Sequence, residues 1–207
     1  MRALKHRILI AAALLAGVSI PLFAAATPTQ AANPGITFNM VRSTAVVNAK
    51  CLTNATATVH VVSRELTQKM TVRAAGLPPY SKFDLFVTQL PNAPFGLSWY
   101  QSDLQADRYG NASVTVVGRF SVETFAVAPG SGVAPTPHSG IDAASNPAFA
   151  PIHTFHIGFW FNSPADAAKA GCPTTVTPFN GEHNAGIQAM STRNFADTDG
   201  PLGRLTS

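Results

Sequence analysis

The sequence predicts an all-β domain, a mostly antiparallel β-sandwich with one short α-helix. Apolar residues recur at every second position in several short segments, which is the spacing of a half-buried strand. Turn residues separate these segments. Pro78 and Pro79 fix φ and remove two backbone donors, and Gly110 within 107–111 can adopt the positive φ of a tight hairpin.

The first half of the chain contains six predicted strands. Each is rich in aliphatic, β-branched or aromatic residues and ends at a polar or Pro/Gly turn. The segments are 36–41, 57–62, 70–75, 83–90, 97–107 with Trp99 and Tyr100, and 114–127. We expect residues 70–127 to form a meander of neighbouring strands.

The second half contains the strongest single strand, 152–161, and a last strand over 187–192. Alternation places one set of side chains on the core side of 152–161: His153, Phe155, Ile157, Phe159 and Phe161. His156 and Trp160 belong to the opposite set, which is expected to face away from the core.

The helix is predicted over 164–170. Ser163 is a suitable N-cap, Pro164 fits the first helical position, and Asp166 has the spacing of a capping box. Gly171 can end the helix.

The first 31 residues are predicted to comprise a secretory signal peptide and a flexible mature N-terminus. Three basic residues precede an apolar run over 8–23, and cleavage is expected after Ala26 or Ala31. The alternative is an uncleaved anchor, because 8–26 is nearly long enough to span a membrane. Cleavage removes three of the 14 Lys and Arg and none of the 10 Asp and Glu, leaving a net charge of +1. No nucleic-acid partner, and no membrane partner after cleavage, is therefore indicated.

The exported part is predicted to be one domain over 35–196. It includes a long Pro/Gly-rich loop at 129–151, which is either a functional surface loop or a solvated excursion without chemistry. Residues 197–207 are expected to be a loosely ordered tail.

Cys51 and Cys172 are the two cysteines of the chain, and both follow the leader. An even count in an oxidising compartment favours one disulfide, with two separate buried thiols as the alternative.

One set of residues suggests a divalent metal site: His153, His156, Glu182 and His183. Imidazole nitrogens and carboxylate oxygens are suitable ligands for such ions. However, positions i and i+3 do not converge on a regular strand, so the alternative is structural histidines. No other cofactor is expected.

A binding function is suggested by Trp99, Tyr100 and Trp160, whose rings can stack on sugars or apolar ligands. The alternative is ordinary packing in a sandwich. None of the common sequence motifs for hydrolytic nucleophiles or phosphate loops occurs, so no catalytic residue is assigned.

Parts of the sequence resemble known proteins. The Gly76 to Pro79 turn, the aromatic strand after it and the hairpin at 107–111 resemble immunoglobulin-like β-sandwich modules of bacterial extracytoplasmic proteins. More broadly, the Phe83 to Tyr100 run and the segment from His153 to Ile187, including 160–166 and 179–184, look like a family of uncharacterised secreted proteins of actinobacteria and related bacteria. This second resemblance covers most of the mature chain. The resemblance implies export and an immunoglobulin-like sandwich, and it brings no activity.

We therefore expect a secreted, non-enzymatic protein that binds an extracellular or envelope ligand through the 129–151 loop and nearby aromatic residues. The alternative is a metal-binding protein or metal-dependent enzyme that uses the histidine and glutamate set.

Overall fold

The computed structural model of the chain describes residues 35–126, 152–178 and 183–205. The predicted leader over 1–31, the loop over 129–151 and Glu182 lie outside the described residues. The strands are β1 (Ile36–Arg42), β2 (Thr56–Ser63), β3 (Gln68–Ala75), β4 (Lys82–Thr88), β5 (Ser98–Gln105), β6 (Ala112–Gly118), β7 (His156–Phe161) and β8 (Gln188–Ser191). The helices are α1 (Thr44–Asn48), α2 (Pro164–Lys169) and a 3-10 helix (Pro201–Arg204). The prediction of a mainly antiparallel β protein is confirmed.

The strands form one antiparallel sheet in the order β5-β4-β7-β8-β1-β2-β3-β6. Strand β1 links the two halves, since its first residues pair with β2 while Val41 and Arg42 pair with β8. The end strands β5 and β6 are consecutive in sequence, and the turn that joins them is closed by a 2.7 Å hydrogen bond from the Asp107 N–H to the Asn111 carbonyl. The sheet is therefore curled into a nearly closed barrel.

The prediction that residues 70–127 form a meander is wrong. Strand β3 lies between β2 and β6, whereas β4 lies between β5 and β7. The segment between β3 and β4 contacts the β5–β6 turn, where the Leu77 N–H donates to the Gly110 carbonyl at 3.0 Å. Alternation predicts which side chains face a core, but it does not specify which strand is the neighbour.

The interior of the barrel is one apolar core built from both halves of the sheet. Met70 and Val72 of β3 are fully buried, as are Phe83 of β4 and Phe159 of β7. The rings of Phe83 and Phe159 meet edge to face with centroids 5.3 Å apart, a favourable arrangement for aromatic pairs.

Strand β7 is buried on both faces. The core-facing residues include those predicted, Ile157, Phe159 and Phe161. The opposite face was expected to point away from the core, but His156 and Trp160 are fully buried as well. Trp160 packs with Phe86 and Ala185 in a second, smaller cluster on this side of the sheet. Alternation predicts which side chains share a face of a strand. Whether that face is buried depends on which other segments of the chain pack over it.

Two predicted strands are shorter than expected. Strand β6 ends at Gly118, and the backbone N–H of Phe120 then donates to the side-chain oxygen of the buried Gln68. Strand β7 begins only at His156, and Ile152 forms an isolated bridge with Ala126.

Helix α2 confirms the predicted helix. The Ser163 hydroxyl accepts the Asp166 N–H at 3.2 Å and donates to the Asp166 carboxylate at 2.8 Å. Helix α1 was not predicted; its N-cap is Ser43 and its buried residue is Val46. No helix in the three described ranges is long and apolar enough to cross a membrane.

The two α-helices are linked by the predicted disulfide. Cys51 follows α1 and Cys172 follows α2, and their Cα atoms lie 5.5 Å apart. Each cysteine N–H donates to a carbonyl of the preceding helix, Val46 for Cys51 and Ala167 for Cys172. The bond therefore joins two short helices that begin 120 positions apart, at Thr44 and Pro164.

The expectation of a loosely ordered tail does not hold for residues 197–205. The 3-10 helix buries Leu202, and Leu205 is also buried in the main core. The Leu202 N–H donates to the Phe155 carbonyl at 3.1 Å, which joins the tail to the segment before β7.

Candidate functional site

The exposed aromatic residues of the described part of the chain lie on or beside β5, at its two ends. Tyr80, Trp99, Tyr100 and Tyr109 are 64%, 68%, 47% and 69% exposed, whereas no described phenylalanine is exposed. Two of the four lie in β5, and the other two lie in turns that meet at its C-terminal end. We call these four residues the β5 aromatic strip.

Strand β5 presents Trp99 and Tyr100 at its N-terminal end. Among the described strands it pairs only with β4, so its other edge lacks a ladder partner. The register shifts at this end, because Ser102 pairs with Leu85 and Tyr100 with Phe86, leaving Gln101 as a bulge. Trp99 and Tyr100 precede the bulge and are successive residues, so their side chains point to opposite faces of the sheet, Trp99 beside Val87 and Tyr100 beside Phe86.

Tyr100 is held by specific contacts. Its hydroxyl donates to the Asp103 carboxylate at 2.7 Å, and its ring meets Phe86 edge to face at 5.6 Å. Partial burial, followed by the hydrogen bond to Asp103 and the charges of Asp103 and Asp84, raises the pKa of Tyr100 to about 12. The hydroxyl therefore stays protonated and oriented over the physiological pH range.

Tyr109 is placed by the β5–β6 turn. The Asp107 carboxylate accepts the backbone N–H groups of Tyr109 at 2.8 Å and of Asn111 at 2.9 Å. The hydrogen bond from Asn111 is the largest cause of the lowered pKa of Asp107. The Arg108 guanidinium lies 4.5 Å from the centre of the Tyr109 ring, a cation–π contact. The turn thus holds the Tyr109 ring, the Arg108 guanidinium and the Asp107 carboxylate close together.

Tyr80 reaches the same place from the β3–β4 segment. Its φ of +59° is in the left-handed region, which is unusual for a residue with a large side chain. Its N–H donates to the Asp107 carbonyl at 3.3 Å, so the strained residue is tied to the turn. Tyr80, Arg108 and Tyr109 line a shallow depression of about 660 Å³ together with Gln105, Ala106 and Asp107.

Of the three rings that the sequence suggests for ligand stacking, two are exposed and one is buried. Trp99 and Tyr100 are exposed, as a ligand-stacking function requires. Trp160 is fully buried, with ring centroids 5.5 Å from Phe86 and 5.0 Å from Phe95, so the prediction that it stacks on a ligand is wrong. Tyr80 and Tyr109 were missed as site residues because they occur in turns, although aromatic residues in Pro- and Gly-bounded turns were a usable signal.

His156 of the predicted metal set makes hydrogen bonds through both ring nitrogens. Nε2 lies 3.1 Å from the Asp197 carbonyl and Nδ1 lies 3.0 Å from the Thr192 hydroxyl. Since a carbonyl only accepts, Nε2 carries the proton and Nδ1 accepts from Thr192. Burial is the main cause of the lowered pKa of His156.

The other members of that set lie in different surroundings. His153 stacks on Phe155 at 4.5 Å, and its Nδ1 donates to the Thr124 carbonyl at 2.9 Å. His183 is exposed, at a φ of +56°. Within the described ranges no three His, Cys, Asp or Glu side chains are grouped so that they could hold a metal ion. Thus the hydrogen bonds of His153 and His156 point to separate segments of the chain.

Neither a comparison with protein-family models nor one with curated proteins finds a match to this sequence. The functional assignment therefore depends on the geometry of the site.

Proposed function

We propose that the chain is a secreted, non-enzymatic protein that binds an extracellular or cell-envelope ligand through the β5 aromatic strip. The observation that carries this proposal is the distribution of aromatic residues. All three tyrosines and one of the two tryptophans are exposed on or beside one strand, whereas the described phenylalanines are buried or half-buried. Tyr and Trp combine a large apolar face with a polar group, a combination common at binding surfaces.

The rings are also restrained, which favours binding. The hydroxyl of Tyr100 is held by Asp103 and the ring of Tyr109 by its contact with Arg108, while Tyr80 is held at its backbone, by the hydrogen bond from its N–H to the Asp107 carbonyl. A ring that is already ordered loses little conformational entropy when a ligand covers it. The rings of Tyr100 and Tyr109 are therefore preorganised for contact.

Secretion is supported by the leader pattern and by the disulfide between Cys51 and Cys172, since such bonds persist in oxidising compartments.

We also propose that the chain belongs to the actinobacterial-type secreted family that its sequence resembles. The sharing of β1 between β2 and β8 supports a further proposal, that the barrel is a distorted immunoglobulin-like sandwich.

The test is co-sedimentation of the mature, oxidised protein with envelope fractions of the producing organism. We expect wild-type protein to bind and a Trp99→Ala/Tyr109→Ala variant to lose at least about tenfold in affinity, because two stacking contacts are removed. Leu66→Ala is the matched control, since Leu66 is 79% exposed in the β2–β3 turn, outside the strip.

Equal binding of the double variant and wild-type protein would overturn the proposal. Emission of Trp99 gives a second readout, because the other tryptophan is buried. Ligand contact should change the emission of wild-type protein and leave that of Trp99→Phe unchanged.

A further inference from the structure

A second depression adjoins the one beside Tyr80 and Tyr109. The two share Gln105 and Asp107, and the second has a volume of about 620 Å³. It extends over the outer surface of β2, β3 and β6. We call the two depressions together the β5–β6 groove.

The second half of the groove carries polar side chains in a regular row. Thr58 of β2 pairs with Arg73 of β3, and Arg73 pairs with Ser113 of β6. Neighbouring strands are roughly 4.8 Å apart, so the backbones of Thr58, Arg73 and Ser113 repeat at that spacing and their side chains leave the same face of the sheet. The backbone ladder fixes these positions.

The composition of the groove selects the chemistry of its ligand. Its small apolar residues are alanines, several of them buried, including Ala57, Ala74 and Ala112. Among the residues that line it there is no Leu, Ile, Val or Phe. A lipid tail or an apolar peptide anchor would find no apolar pocket to fill. The ligand that fits is polar all along its length, with a flat, weakly apolar face for the tyrosine rings.

We propose that the β5–β6 groove binds a polysaccharide chain of uncharged pyranose units. The carbon–hydrogen face of a pyranose matches the exposed rings of Tyr80 and Tyr109, while its hydroxyls match Gln105 and the row from Thr58 to Ser113. In the groove Asp107 offsets the charge of Arg108, so Arg73 is the one uncompensated charge among the residues that line it. A nucleic acid, which requires several uncompensated cations, is therefore disfavoured. This inference depends on the proposed function and names its ligand class.

The test uses isothermal titration of the mature, oxidised protein with cellohexaose, laminarihexaose and chitohexaose. We expect at least one hexasaccharide to bind, and Tyr109→Ala to weaken that binding about tenfold or more, the effect of losing one stacking contact. Tyr80→Gly removes the other ring while retaining a residue that tolerates positive φ. Tyr80→Phe keeps the ring and should bind like wild type.

The length of the groove predicts that affinity depends on the length of the glycan. Arg73→Ala should weaken the hexasaccharide more than the matching disaccharide, because the short ligand occupies only the tyrosine half. Circular dichroism and thermal melting of each variant separate loss of binding from loss of folding, and Leu66→Ala is again the control.

Two results would overturn the inference: no hexasaccharide binds, or Tyr80→Gly and Tyr109→Ala bind as tightly as Leu66→Ala. If no hexasaccharide binds but an envelope component still changes the emission of Trp99, the proposed ligand class is wrong and the proposed binding function stands. If neither binds, the proposed function is wrong as well.

Discussion

At the residue scale, the two tryptophans of the chain have opposite roles. Trp160 is enclosed by Phe86 and Phe95, and its neighbour Gly158 has no room for a side chain, since a Cβ there would come within 2.9 Å of the Trp160 ring. Trp99 is exposed on the bulged end of β5. One ring therefore stabilises the fold and the other is available to a ligand.

This difference predicts unequal effects of the same substitution. Trp160→Ala should lower the free energy of unfolding by about 3–5 kcal/mol because it leaves a cavity, whereas Trp99→Ala should change it by less than about 0.5 kcal/mol. Urea denaturation followed by circular dichroism measures both values. Similar losses for the two variants would contradict the assignment of Trp99 to the ligand surface.

His156 is a buried residue whose protonation is coupled to folding. Its pKa in the folded protein is lowered from 6.5 by burial, although Asp197 and Asp199 act in the opposite direction. The unfolded chain therefore binds more protons than the folded protein as the pH falls below about 6.5, which favours unfolding.

We therefore expect stability to be highest above pH 6.5 and to decrease as the pH falls through 6.5 towards the lowered pKa of His156. Urea midpoints measured between pH 8 and pH 5 give the slope, with the pH values chosen roughly to bracket the histidine range. Replacing His156 by Gln should reduce the slope. An unchanged slope in His156→Gln would contradict the interpretation.

At the scale of elements, the β5–β6 turn determines the geometry of the candidate site. Gly110 has a φ of +79°, and a Cβ at this position would lie 2.2 Å from the Leu77 carbonyl oxygen. The turn therefore requires glycine for two reasons, its backbone conformation and the close approach of the β3–β4 segment.

Substitution at Gly171 measures the cost of the backbone conformation alone, without a steric clash. This residue has a φ of +67°, but no atom lies within 4 Å of the position that a Cβ would occupy, so Gly171→Ala should cost only the conformational term, about 1 kcal/mol. Gly110→Ala should cost roughly 2–4 kcal/mol because the carbonyl contact is added. Thermal or urea unfolding measures both. Equal costs would show that the packing of Leu77 on the turn is unimportant.

At the scale of the whole molecule, the disulfide connects distant parts of the chain. Cys51 and Cys172 are separated by 121 positions, and the loop that they close contains strands from β2 to β7. Loop-closure entropy in the unfolded state predicts that the bond contributes on the order of 4–5 kcal/mol.

The Cys51→Ser/Cys172→Ser variant should accordingly lose about 4–5 kcal/mol of unfolding free energy. Its binding of envelope fractions under native conditions should be retained, because the bond lies at α1 and α2 rather than at β5. Denaturation and co-sedimentation measure the two effects. Loss of less than about 1 kcal/mol would show that the unfolded chain is not restrained by this link.

The sequence by itself determined the local features of this protein. Strand segments, the Ser163-capped helix and the glycine in the β5–β6 turn depend on periodicity, capping and φ preferences, which act between residues close in the chain. Trp99 and Tyr100, which the sequence suggests for ligand stacking, are exposed, and their stacking on a ligand stays a prediction.

Tertiary structure decided everything that depends on contacts between distant segments. The order of the strands, the burial of Trp160 and His156, the packing of Leu202 and the placement of Tyr80 and Tyr109 beside one depression all arise where one segment covers or crosses another. Alternation cannot encode these contacts, because a period of two specifies the side of a strand and carries no information about what lies on that side.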